Sequence, residues 1–163
     1  DLDMSTFFRG QKPHTSELDE MANETRSLMW EQMSRTKEAR VKLAISMLKE
    51  SNPPKDRAIG AYIMATNYRH GWGVKTNYAE SIKLYKFAAS QGYAAACYEL
   101  ARLHLQGHSI MGIEKDPDEA RKYAAMGARA NVNAHPSFEN QANYIEQCQS
   151  LLQVIDAIPS LGL

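Results

Sequence analysis

Apolar residues recur at three- and four-residue steps along most of the chain, in blocks separated by Gly, Pro, Asn and Asp. That spacing puts them on one face of successive amphipathic helices. Leu18, Met21, Ala22, Thr25, Leu28, Met29 and Met33 form the first stripe and predict a helix from Ser16 to about Ser34, with Trp30 lying off the stripe. The stripe then loses phase, and Val41, Ala44, Ile45 and Leu48 begin another, which predicts a helix over residues 36–50. Asn52-Pro53-Pro54 stops it, because proline disfavours helical geometry in the residue before it, and Asp56 is placed to cap the next helix. Helices are predicted over 56–69, 77–91, 94–106 and 117–130. A last one starts near Ser137 and carries a wide apolar face of Phe138, Tyr144, Ile145, Cys148, Leu151, Leu152, Ile155 and Ile158.

The four middle helices are two copies of one unit. Setting Gly71 on Gly107, an offset of 36 residues, places Tyr62 on Tyr98, Ala65 on Ala101 and Tyr68 on His104. Past these glycines the offset is 39, which pairs Gly73-Val74 with Gly112-Ile113, Asn77 with Asp116, Glu80-Ser81 with Glu119-Ala120, Lys83 with Lys122 and Gly92 with Asn131. The second copy therefore has three extra residues between its helices. A period in the mid-thirties, with two amphipathic segments joined by a Gly-rich turn, marks a helical-repeat architecture. Gly71 and Gly73 stand where the chain must reverse sharply, so one or both are expected at positive φ. Val74 and Ile113 are expected to plug the turn, Asn77 and Asp116 to cap the second helices with Pro117 at a first helical position, and Gly92 and Asn131 to take left-handed C-cap conformations. Ala88 and Ala89 let two helices approach closely.

The unit resembles the Sel-one-like repeat, a relative of the tetratricopeptide repeat. The first copy carries the resemblance at Ala65, Tyr68, Gly71, Gly73, Val74, Tyr78, Tyr85, Ala88, Ala89, Gln91 and Gly92, with Asn67 departing from the pattern. The second carries it at Ala96, Leu100, Ala101, Leu103, Gly107, Gly112, Ile113, Asp116, Ala120 and Ala128, with Ala130-Asn131 in place of Gln-Gly. The resemblance implies an all-α, right-handed helical-repeat solenoid of two full units plus flanking helices. Four regions are expected: a flexible arm over 1–14 holding Phe7 and Phe8, a degenerate helix pair over 15–54, the two repeats over 55–131, and a capping helix and tail over 132–163. Because solenoid ends leave an apolar face bare, the last helix reads as that cap.

Composition narrows the function. Lys+Arg and Asp+Glu are 19 each, so no general basic field draws in phosphate backbones, and nucleic acid is not an expected partner. No run approaches the length of a membrane span, and no basic-then-apolar leader precedes the first helix. With Met4 read as a start the protein is cytoplasmic, a processed secreted or periplasmic chain being the alternative. Cys97 and Cys148 are expected to be reduced, buried thiols rather than a disulfide framework.

No catalytic apparatus and no cofactor site are expected. His104 and His108 have the spacing of two helical metal ligands, but Gly107 interrupts the helix between them, and no metal is expected. Gly71-Trp72-Gly73 follows a helix and lacks the Lys-Ser/Thr pair of a phosphate loop. The resemblance implies a non-catalytic adaptor or scaffold that binds a partner protein or peptide on a concave face lined by the first helices of the repeats. On that geometry the candidate partner-binding residues are Asn67, Arg69, His70, Trp72, Glu99, Arg102 and His104, each against the plain alternative of a solvated surface position. A dedicated inhibitor or immunity protein that blocks one cognate enzyme is the second reading.

Overall fold

In the computed structural model, residues 24–25, 36–134 and 141–158 are described. From residue 36 onward, six helices follow one another among the described residues: α1 (Lys37–Met47), α2 (Pro54–His70), α3 (Tyr78–Ser90), α4 (Ala94–Gln106), α5 (Pro117–Ala128) and α6 (Gln141–Ala157). Each packs on its neighbours in the chain and α6 also covers α4, giving an all-α helical-repeat solenoid. The expected arm with Phe7 and Phe8, the helix ending near Ser34 with its Trp30, the Ser137-Phe138 start of the last helix and the tail beyond residue 158 lie outside the described residues.

The helix starts follow capping chemistry. Asn77 accepts a hydrogen bond from the Glu80 amide at 3.1 Å, and Asp116 accepts from the Asp118 and Glu119 amides at 3.1 Å each, so each carboxamide or carboxylate satisfies donors the helix leaves unpaired. Thr36 does the same for α1, taking the Ala39 amide at 3.1 Å. Asp56 does not cap α2: the helix starts two residues earlier at Pro54, with Pro53 in the cap position. Proline's fixed φ suits a first turn and its missing N–H leaves nothing to cap there, so Asp56 sits inside the helix as a first-turn acid.

Both turn glycines of the first unit have positive φ, Gly71 at 69° and Gly73 at 70°. A Cβ on Gly73 would also lie 3.0 Å from both the Lys37 carbonyl and Val41 Cγ2, so the turn is pressed against α1. The two units close alike: the Asn77 amide donates to the Tyr68 carbonyl (3.0 Å), and the Asp116 amide to the His104 carbonyl (2.7 Å). The extra residues of the second unit form a tight reversal in which His108 and Ile113 exchange backbone hydrogen bonds of 2.7 and 3.0 Å. Met111 of that reversal is buried with Leu103 and Ile113 against Tyr78 and Ile82, while Ile110 projects outward. Asn131 is not left-handed, contrary to expectation, since no described residue other than glycine has positive φ. α5 ends at Ala128, and Asn131 instead accepts the Asn133 amide at 2.9 Å to turn the chain.

Small residues set the helix spacing. Ala58, Ala61, Ala65, Ala88, Ala89, Ala95, Ala96, Ala101, Ala120 and Ala124 are all fully buried, with Tyr85, Tyr93, Ile63 and Leu100 filling the volume between helices. α6 turns Cys148 and Ile155 into this core, with Tyr144, Leu151 and Leu152 packed beside them. Its buried Gln141 accepts the Ala94 amide at 3.1 Å and donates to the Gly92 and Asn131 carbonyls at 3.2 and 3.4 Å. α4 has no side-chain cap of its own, so a residue 47 positions later supplies it.

Candidate functional site

α2 and α4 are the first helices of the two units, and they are not a close-packed pair of backbones. Long side chains join them. Arg69 near the end of α2 donates to Glu99 Oε2 at 2.9 Å, and Arg102, one turn along α4, donates to the same oxygen at 2.8 Å. Tyr62 of α2 packs edge-on against Tyr93 and Tyr85, at centroid distances of 5.1 and 5.9 Å. The Tyr85 hydroxyl shares a hydrogen bond with Thr66 at 3.1 Å and lies within reach of Arg69. Thus Thr66, Tyr85, Arg69, Glu99 and Arg102 form one connected polar patch across the two units.

Its electrostatics follow from that geometry. The hydrogen bond and charge of Glu99 raise the Arg102 guanidinium pKa, locking the cation. Partial burial and the adjacent Arg69 hold the His70 imidazole below its ordinary pKa, and Glu99 only partly offsets them. His70 is therefore mostly neutral at physiological pH. It stacks on Trp72 with ring centroids 4.4 Å apart, and the Arg40 guanidinium lies over the Trp72 ring at 5.6 Å. Trp72 is thereby held half-buried at the mouth of the first turn, one residue from the glycine that ends α2.

The seven expected residues divide on these facts. Arg69, Glu99 and Arg102 are brought together, and His70 with Trp72 forms a second group beside them. His104 turns toward α5, where its ring stacks on Tyr123 at 5.8 Å, and burial lowers its pKa. Asn67 is a correction: it is completely buried, so it has no surface to offer a partner. Helical spacing put it near the strip, but it stands where the second unit has Leu103, facing inward. Neither its side-chain Nδ2 nor its side-chain Oδ1 has a partner among the described residues. Burying an unpaired amide costs about 1–3 kcal/mol. Asn67→Leu is therefore expected to stabilise the protein by about 1 kcal/mol or more, read as a higher midpoint in thermal unfolding. A lower midpoint would mean that the amide is solvated internally.

Arg40, Thr66 and Tyr85 were missed by sequence reasoning. Arg40 sits in the echo of Glu119-Ala120-Arg121 at Glu38-Ala39-Arg40, a usable sign that α1 follows the repeat register. Nothing in the sequence shows that its guanidinium reaches Trp72. Among the described residues, His108 and the two cysteines are occupied or inert. His108 Nδ1 accepts the Met111 amide at 3.2 Å, and burial pushes the Cys97 and Cys148 thiols up to about 12, far from thiolate chemistry at neutral pH. Among the described residues no helix is long and apolar enough to cross a membrane.

Comparison with curated proteins finds no match, and comparison with solved structures finds none. The Sel1 repeat family model matches at residues 58–93 and again at 94–132. The first span takes in α2 from Ala58 onward, α3 and the glycine turn between them, and the second takes in α4, α5 and the longer reversal. Sel1 repeats are generally non-catalytic protein–protein interaction modules. With the fold, the paired turn closures and the family match in agreement, residues 58–132 of this chain are two Sel1 repeats in tandem.

Proposed function

We propose that this protein is an adaptor or scaffold that docks a partner protein or peptide along the strip formed by α2, α4 and the turn after α2. The observation that carries the reading is the connected patch itself. Two repeats whose helix crossings are filled by buried alanines nonetheless leave Tyr68, Tyr98 and Arg102 partly exposed on their first helices, with Trp72 partly exposed in the adjoining turn. Those residue types dominate contact energies when a partner desolvates them. Trp72 and Arg102 are the anchors: Trp72 is an aromatic surface held in place by its His70 stack, and Arg102 is a fixed cation, about a third of its side chain open to solvent.

Affinity capture from the native organism, with the full chain and with its Trp72→Ala and Arg102→Ala variants as parallel baits, tests this. Partners retained by the full chain are expected to bind each variant more weakly by roughly 1–4 kcal/mol, with helicity and melting unchanged. Equal retention by all three baits would move the docking site elsewhere on the solenoid.

A further inference from the structure

The patch between α2 and α4 is unbalanced in a way that specifies its ligand. Two guanidiniums converge on one carboxylate oxygen, Glu99 Oε2, each through a single terminal nitrogen. Three charged side chains at contact distance therefore carry two positive charges and one negative in a chain whose formal net charge is zero. The pairing also leaves Arg102 incompletely used: its Nε is buried and has no acceptor among the described residues. A guanidinium that meets a carboxylate side-on offers two parallel N–H groups, and that fork is the strong geometry. Arg102 meets Glu99 with Nη2 alone. One carboxylate divided between two arginines thus meets neither fully, and the patch has a surplus positive charge that a second carboxylate can meet at the third of the Arg102 side chain open to solvent.

We propose that Arg69 and Arg102 form a seat for an aspartate or glutamate side chain of the docked partner segment, with Glu99 holding the two guanidiniums in position and competing with the incoming acid. This rests on the strip being the docking surface and adds the chemistry of what docks there. Trp72 and His70, adjoining the seat, give the same segment an apolar contact. A partner lacking an acidic side chain at this register leaves the surplus charge uncompensated and binds poorly.

The test uses random peptides displayed on phage and selected against the full chain. Enriched peptides are then synthesised with amidated C-termini and titrated by fluorescence anisotropy. Selected peptides are expected to contain Asp or Glu, and replacing it with Asn or Gln weakens binding about tenfold or more. Arg102→Ala weakens binding to a similar degree, and on that variant the peptide replacement has little further effect, because both changes remove one interaction. Glu99→Gln removes the competing negative charge and tightens binding of acidic peptides about threefold or more. A merely structural ion triad predicts no such gain. Circular dichroism and thermal unfolding establish that each variant is folded, and Arg102→Gln serves where Arg102→Ala does not fold.

The seat is overturned if no peptide is enriched, if the acid and Arg102 act additively, if Glu99→Gln fails to tighten binding, or if affinity requires a free C-terminal carboxylate instead of a side chain. Neutral peptides whose binding is lost in Trp72→Ala would also overturn it, while leaving the strip as the docking surface. Acidic peptides unaffected by both Trp72→Ala and Arg102→Ala would overturn the strip as well.

Discussion

Ending the chain at Ala134 is expected to destroy cooperative folding of the second repeat. Removing α6 uncovers the sides of α4 and α5 that Cys148 and Ile155 bury and that Tyr144, Leu151 and Leu152 flank. Each such aliphatic or aromatic side chain contributes about 1.5–3 kcal/mol when fully buried. Losing several is comparable to the whole stability of a small domain, roughly 5–15 kcal/mol. The Ala94 amide, otherwise uncapped, also loses Gln141. Size-exclusion chromatography with light scattering should show aggregates or oligomers, and circular dichroism a broad, early transition. A monomer with an unchanged unfolding midpoint would mean that α6 is not the end cap and is free to serve as a binding element itself.

Gly127→Val is expected to be nearly as damaging. Gly127 lies on α5 where α4 and α6 converge, and a Cβ there would collide with Cys148 Sγ while lying 2.9 Å from Cys97 Cβ and 3.0 Å from Cys148 Cβ. Both cysteines are completely buried, so neither can swing out. Overpacking of this kind typically costs about 1–3 kcal/mol, and valine adds a branched chain to the clash. Cys148→Ala in the same molecule should recover part of the loss, since it removes the sulfur that the new methyl groups meet. An unaltered midpoint in Gly127→Val would show that the three helices are not packed this closely.

The repeat register was legible from the sequence because its signals are local. Glycines that need positive φ, Asn77 and Asp116 ahead of amphipathic runs, and alanines at helix crossings each act through neighbours within a few residues. Asp56 and Asn131 misled for the same local reason: both are good cap residues by type, but Pro53-Pro54 had already started α2, and α5 ended before Asn131 was reached. The site was only half legible. Placing Arg69, His70, Glu99 and Arg102 on first helices and Trp72 in the turn between helices required only the repeat, whereas the inward turn of Asn67 depended on one face of α2 being wrapped by its neighbours. The link between Arg69 and Glu99 spans 30 residues, and the cap of α4 by Gln141 spans 47. No periodicity encodes such pairings, because they depend on how far one helix pair is displaced against the next.

The most direct test of the docking surface is hydrogen–deuterium exchange of the full chain with and without its captured partner. Backbone amides from Thr66 to Trp72 and from Tyr98 to Leu105, which carry the Arg69–Glu99–Arg102 patch and the Trp72 turn, should gain protection, while the outer turns of α3 and α5 exchange as before. Protection confined to α3 and α5, or to the chain termini with the α2–α4 strip unchanged, would contradict the assignment.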